Sequence, residues 1–163
     1  INVGTKMEIK DWGIDNWLAL IKSICSLSSE YSLVVIGVNE ESGLAEKCLN
    51  VWNGQGLNLC GKSSPRVSAA ILKKADLFIG HDSGPMHLAA CVGTACVAVF
   101  SCINRPRQWF PRGDNNKIIF PDTACAQNKS KECSNNTMKC ILTIDPKEVG
   151  DAVLAVLNKS ELV

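Results

Sequence analysis

The stretch that most constrains this chain runs from Ala75 to Ala90, ADLFIGHDSGPMHLAA. Leu77 to Ile79 is a short apolar run between Asp76 and Gly80, the pattern of a buried strand. It breaks into Asp82-Ser83-Gly84-Pro85, a turn followed by a helix start. Ser83 is placed to cap the first free N–H groups, and Pro85 is tolerated in a first helical turn, where no N–H is needed. Met86, Leu88, Ala89, Ala90 and Val92 continue the helix until Gly93 ends it. A strand that enters a helix through a glycine-containing turn aims backbone N–H groups and a helix dipole at its own carboxyl end. Anions bind there. Asp82 and His87 flank the turn, so hydroxyl groups can be read beside a negative charge.

The rest of the chain supports such a strand. Ile1-Asn2-Val3 reads as the end of a first strand, left through Gly4-Thr5-Lys6. Asp15 is expected to cap a helix that carries Trp17, Leu20, Ile21 and Ile24 at helical spacing. Ser32 to Gly37 encloses a continuous apolar run suited to a central parallel strand. Glu40 to Val51 reads as a helix and Leu57 to Leu59 as a short strand. Ser64-Pro65 opens a helix with Val67, Ala70 and Ile71 on one face. Cys96 to Phe100 and Lys117 to Phe120 are further strands, the second leading into a polar loop from Pro121 to Lys139. Asp145-Pro146-Lys147-Glu148 then combines a cap, a first-turn proline and an acid, resembling a capping box. Val149, Ala152, Val153, Val156 and Leu157 form one apolar stripe behind it. Strand and helix alternate throughout. The alternation predicts an α/β fold, a Rossmann-like parallel sheet with helices on both faces and right-handed crossovers, whose ligands bind at the strands' carboxyl ends.

Composition narrows the function. A formal net charge of +1 over 163 residues gives no global attraction to nucleic acid. With 46% hydrophobic and 20% charged residues the chain suits one domain, residues 1–163, with a sizeable core. No run approaches the length that crosses a membrane. The chain enters on a strand already under way at Ile1, with no signal peptide ahead of it, and is read as a domain of a longer protein. Of its nine cysteines, Cys25, Cys48, Cys60, Cys91, Cys96 and Cys102 lie in or beside apolar segments and are expected to act as small core residues. Cys125, Cys133 and Cys140 punctuate the polar loop without a C-x-x-C pair, which favours a local disulfide or free thiols over zinc. Sequons at Asn128, Asn135 and Asn158 are read as chance. No G-x-G-x-x-G follows a strand, against a dinucleotide oxidoreductase.

The segment GHDSGPMHLAACVGTACVAVF, followed by RPRQWFPRG, closely resembles the signature of glycosyltransferase family 9, the bacterial heptosyltransferases of lipopolysaccharide core synthesis. The family pattern is Asp-Ser/Thr-Gly-Pro/Leu-x-His-Leu, for which this chain supplies Asp82, Ser83, Gly84, Pro85, His87 and Leu88. It departs at Thr94-Ala95-Cys96, where the family usually has a proline. The resemblance runs from Gly4-Thr5-Lys6 to the last helix and implies one half of a GT-B glycosyltransferase, the C-terminal, nucleotide-sugar-binding domain. On the same resemblance the N-terminal acceptor domain, which carries the family's catalytic base, is expected to be absent from this chain. The implied reaction is inverting and metal-independent, with no cofactor. A heptose-type sugar passes from a nucleotide diphosphate donor, ADP-heptose foremost, to a lipopolysaccharide core acceptor. The implied partners are the nucleotide sugar, a lipid-linked saccharide acceptor and the chain's own N-terminal domain, with no nucleic acid. A cytoplasmic location follows, with peripheral contact at the inner face of the inner membrane for the full-length enzyme. The isolated chain is expected to bind donor weakly and transfer nothing.

The resemblance also implies residue roles. Thr5 and Lys10, the latter in Lys10-Asp11-Trp12, would contact the donor phosphates, which want both hydrogen bonds and charge. Glu40 or Glu41, after the strand ending at Gly37, would accept ribose hydroxyls, with Glu41 slightly favoured. The loop Gly61-Lys62-Ser63-Ser64 would border the base. Asp82 would accept from sugar hydroxyls while the Ser83 and Gly84 N–H groups hold phosphate oxygens. His87, one helical turn past Ser83, would neutralise the leaving diphosphate. The run Asn104 to Arg112, three arginines with Trp109 and Phe110 between them, would help close the sugar site. Plainer alternatives stand beside these: a solvated loop for Thr5 and Lys10, an acidic first turn for Glu41, a helix cap around Lys62 and a core residue for His87. Two rival functions remain: an epimerase of the same architecture, whose catalytic carboxylates have no counterpart here, and a non-catalytic nucleotide-binding module.

Overall fold

Short apolar runs pair side by side in the computed structural model, which describes residues 1–53, 55–103, 107–121 and 140–160. The strands are β1 (Leu33–Val35), β2 (Gly56–Asn58), β3 (Phe78–His81), β4 (Cys96–Val99) and β5 (Lys117–Ile119). β1 pairs with β2, β3 with β4 and β4 with β5, all in parallel. Residues 1–3 join the two groups. The Ile1 nitrogen donates to the Val34 carbonyl (2.7 Å), and the Ile36 N–H donates to the Ile1 carbonyl (3.0 Å). On the other side the Asn2 N–H donates to the Ile79 carbonyl (3.0 Å), and Asn2 lies opposite Gly80. The spatial order is therefore β2, β1, residues 1–3, β3, β4, β5. This is the doubly wound order, and its switch point lies between residues 1–3 and β3.

Among the described residues five α-helices cover the sheet: α1 (Ile14–Ser23), α2 (Ser42–Trp52), α3 (Pro65–Leu72), α4 (Gly84–Cys91) and α5 (Pro146–Ser160). Successive strand residues point to opposite faces. Ile79, Val97 and Val99 pack with Trp17, Leu20 and Ile21 of α1, Cys48 of α2 and Val153 of α5. Phe78, Cys96 and Ala98 pack with Leu72 of α3 and Met86 and Ala89 of α4. Burial on both faces is why the strands read as unbroken apolar runs. Trp12 and Trp17 are fully buried and meet edge to face, ring centroids 4.7 Å apart. No described helix is long and apolar enough to cross a membrane.

Several local expectations are corrected. The N-cap of α1 is Gly13, at φ 82°, and Asp15 lies inside the first turn without capping it. The Gly13 N–H is taken instead by Asp11 Oδ1 (2.9 Å). α3 turns Leu72 inward while Val67 stays 49% exposed, because it packs against α4 and eight residues are too few for periodicity to choose a face. β3 continues through Gly80 and His81 instead of ending at Ile79. A Cβ at Gly80 would meet the Asn2 carbonyl at 3.1 Å, so this glycine lets the first strand approach closely. Cys91 is exposed, not core, whereas Cys140 is buried at the end of the polar loop. Cys125, Cys133, Asn128, Asn135 and Asn104 to Pro106 lie outside the described residues. The cap of α5 forms as expected: Asp145 Oδ1 accepts from the Lys147 N–H (2.9 Å), and Val149, Val153, Val156 and Leu157 are buried behind it.

Candidate functional site

Residues 1–3, β1 and β3 all release their chains at the same edge of the sheet, and a cleft of about 560 Å³ opens there. Gly4 and Thr5 line it from the first loop, Gly37 and Val38 from the second, and Asp82, Ser83 and Gly84 from the third. The cleft is built on the switch point.

His81 fastens the first loop to the sheet. Its ring is fully buried at the end of β3. The Trp12 N–H donates to His81 Nε2 (3.1 Å), so Nδ1 carries the hydrogen and donates to the Gly4 carbonyl (3.3 Å). Burial pushes the imidazole pKa down to about 4, so the ring is neutral at pH 7. Trp12 is held again at its far end, where the indole N–H donates to the Ile144 carbonyl (3.1 Å). The loop carrying Lys10 is thus pinned on both sides.

Lys10 then reaches across to β3. Its ammonium lies 2.5 Å from Asp82 Oδ2 and 3.4 Å from the Asp82 carbonyl oxygen. Both partners are largely removed from water, with side-chain exposures of 15% and 5%. At the next residue the expected cap is absent. The Ser83 hydroxyl donates to Asn2 Oδ1 (3.3 Å), and no side chain caps α4. Ser83 has the extended backbone usual at an N-cap, but its hydroxyl is spent on the Asn2 carboxamide. The first N–H groups of α4 are left without a side-chain cap close to the Lys10–Asp82 pair, an arrangement suited to an anion. A Cβ on Gly84 would meet nothing within 4 Å, so a ligand can approach the backbone there.

The opposite wall carries Glu41. Its Oε2 accepts from the Val38 N–H (3.1 Å) and the Asn2 amide (3.3 Å). Gly4 and Gly37 make room for it, since a Cβ on either would run into the Glu41 carboxyl group. Burial raises its pKa above the usual carboxylate range, against the two hydrogen bonds. Glu40 is exposed and lies outside the cleft lining.

The structure therefore brings Thr5, Lys10, Glu41, Asp82, Ser83 and Gly84 to one cleft. Thr5 Oγ1 accepts from the Met7 N–H (3.3 Å) at its rim. Lys62 is not among the lining residues: its exposed ammonium donates to the Asn58 carbonyl (2.9 Å), although the neighbouring Ser63 does line the cleft. His87 stands beside Asp82, Nε2 to Oδ1 3.8 Å, outside the lining, with its ring edge-on to Trp109 at 6.2 Å. Asn2 and His81 were not singled out from the sequence. Each had a signal: a carboxamide inside an apolar strand, and a histidine directly before Asp82. Among the described residues no group of three or more His, Cys, Asp or Glu side chains is placed to hold a metal ion.

Fold and cleft define a doubly wound α/β domain with an open cleft at its switch point, the class in which nucleotides are held at the carboxyl ends of the strands. The particular family follows. The sequence profile of glycosyltransferase family 9 (heptosyltransferase) matches residues 1–139, and the chain belongs to that family. It is 27% identical over 147 residues to lipooligosaccharide heptosyltransferase 2 of Campylobacter jejuni subsp. jejuni serotype O:2, covering 86% of this chain and 46% of that protein. Among solved structures it is similar to the family 9 glycosyl transferase of Veillonella parvula DSM 2008, with a TM-score of 0.81, 20% identity and coverage of 97% and 45% of the two chains. It is similar also to the E. coli ADP-heptose lps heptosyltransferase II, with a TM-score of 0.75, 17% identity and coverage of 98% and 46%. The fold is that of these GT-B enzymes, and the chain spans less than half the length of each.

Proposed function

We propose that this chain is the donor-binding half of a heptosyltransferase of lipopolysaccharide core synthesis, and that its cleft holds the nucleoside diphosphate of ADP-heptose. The observation that carries this reading is the meeting of the Lys10 ammonium with the uncapped start of α4 at the switch point. A diphosphate needs that pairing of charge and aligned N–H donors. The adenine nucleotide is supported by the named donor of the similar E. coli enzyme.

The chemistry assigned to the full-length enzyme is an inverting, metal-independent displacement. A carboxylate base in the N-terminal half deprotonates the acceptor hydroxyl, which attacks the anomeric carbon as ADP leaves. Lys10 and the α4 N–H groups take up the charge that develops on the leaving diphosphate. Asp82 aims the Lys10 ammonium and accepts from a sugar hydroxyl, and His87 adds positive charge when protonated. Glu41 accepts a ribose hydroxyl on Oε1, since both of its hydrogen bonds end on Oε2. The acceptor is a lipid-linked saccharide met at the cytoplasmic face of the membrane. On this reading the chain alone transfers no sugar.

Calorimetric titration of the purified chain with ADP, ADP-heptose, UDP and GDP tests the proposal. ADP is expected to bind at least tenfold more tightly than UDP. A preference for UDP would keep the fold and remove the heptose assignment. Failure to bind any of the four would remove the donor site itself.

Two substitutions separate site from scaffold. Gly84→Ala is expected to leave stability unchanged or raise it by about 0.4–1 kcal/mol, since the backbone accepts alanine there. Its methyl group fills the approach to the α4 N–H groups, so ADP affinity should fall about tenfold, a loss of about 1.4 kcal/mol. Gly37→Ala displaces Glu41 from both of its hydrogen bonds. Urea denaturation should show a loss of about 1–2 kcal/mol, and ADP should lose its advantage over 2′-deoxy-ADP.

A further inference from the structure

Asn2 joins the two walls of the cleft. It is only 3% exposed, and its amide nitrogen points to the β1 side while its oxygen faces the β3 side across the switch point. Nδ2 donates to the Ile36 carbonyl (3.0 Å) and to Glu41 Oε2 (3.3 Å), while Oδ1 accepts from the Ser83 hydroxyl (3.3 Å). The Ile36 carbonyl can only accept, so the carboxamide has one orientation and its oxygen must face Ser83. Asparagine is a poor strand former, and an apolar residue would serve this position better if packing were its only task.

We propose that Asn2 is a positioning residue that couples nucleoside reading at Glu41 to phosphate reading at the Ser83–Gly84 turn, and so selects a ribonucleoside diphosphate. The inference rests on the donor-site reading above. One amide does two jobs. By accepting the Ser83 hydroxyl it keeps that hydroxyl off the α4 N–H groups, which stay available to a phosphate. By donating to Oε2 it holds the Glu41 carboxyl group over Gly4 and Gly37, with Oε1 as the remaining acceptor for ribose. Because both bonds come from one rigid group, the spacing of the two subsites is set by the width of a carboxamide. Aspartate keeps the acceptor but has no donor and repels Glu41. Leucine has neither. Only the amide supplies both.

The test compares wild type, Asn2→Leu, Asn2→Asp and Ser83→Ala by calorimetry with ADP and 2′-deoxy-ADP, alongside thermal unfolding. Asn2→Leu is expected to bind ADP about tenfold or more weakly, the weight of a lost hydrogen bond to a charged group. In Asn2→Leu and Asn2→Asp the preference for ADP over 2′-deoxy-ADP should collapse towards one. Ser83→Ala should bind both nucleotides about as tightly as wild type and keep the preference, because no hydroxyl is left to cap the α4 N–H groups and Nδ2 still holds Glu41. A carboxyl NMR titration adds a readout that needs no ligand: the Glu41 midpoint should rise when the Asn2 donor is removed. Folded Asn2 variants with wild-type preference and an unmoved Glu41 midpoint would overturn the inference while leaving the donor site standing. If the Asn2 variants do not fold, a tenfold or greater loss of ADP affinity in Ser83→Ala overturns the phosphate arm. Absence of ADP binding by wild type overturns this inference and the donor-site reading together.

Discussion

Replacing Lys10 with methionine is expected to abolish measurable ADP binding, a loss of at least about 100-fold, or about 2.7 kcal/mol. Two effects add. The diphosphate loses the Lys10 ammonium, and the Asp82 carboxylate, 2.5 Å from that ammonium in the wild type, is left facing the incoming anion. Removing one member of a buried pair costs about 3–5 kcal/mol of stability. Lys10 keeps some contact with water and His87 stands 3.8 Å from the other carboxylate oxygen, so a loss of about 2–3 kcal/mol is the better expectation here. The double substitution Lys10→Met, Asp82→Asn separates the two effects. It should recover stability to within about 1 kcal/mol of wild type, measured by urea denaturation, without recovering ADP affinity. Near-normal ADP affinity in either variant would sink the phosphate role of Lys10.

Acid should loosen the same loop through His81. In the unfolded chain its imidazole titrates near 6.5, but in the folded protein burial holds it at about 4. Above pH 6.5 the ring is neutral in both states and its hydrogen bonds contribute fully. Between pH 6.5 and 4 the unfolded state binds the proton first, so stability falls as pH falls, by up to about 3 kcal/mol in total. Carboxylates titrate in part of this window, so the comparison is between wild type and His81→Leu. The variant should start about 2–4 kcal/mol less stable at pH 7, from the orphaned Trp12 N–H and Gly4 carbonyl. It should also lose less stability on acidification. Urea midpoints from pH 7.5 to 4.5 measure both. Parallel profiles for the two proteins would mean that His81 is not the group that titrates.

Much of this site was written in consecutive residues. Asp82-Ser83-Gly84-Pro85 after an apolar run marks a strand entering a helix, and β3 and α4 lie where that pattern puts them. The partners of those residues were not legible. Ser83 carries the right side chain for a cap, yet its hydroxyl turns to Asn2, 81 residues away in sequence. Glu40 and Glu41 are adjacent acids on one turn, and only the glycines at 4 and 37 decide that Glu41 is the one drawn inward. Lys62, placed in a base-bordering loop by resemblance, turns its ammonium back to the Asn58 carbonyl.

The sequence by itself determined the α/β class, the two-sided burial of the strands, the capped last helix and the strand-to-helix turn at Asp82 to Pro85. These are local properties, carried by side-chain spacing within a few residues and by the backbone limits of Gly and Pro. Only the tertiary structure decided where the switch point lies, because strand order depends on pairing between segments that the chain separates by more than thirty residues. The same holds for the Lys10–Asp82 pair, 72 residues apart, and for the neutral, buried His81. A side chain's chemical type is present in the sequence, but its partner and its protonation state depend on which distant groups reach it and how much water they exclude.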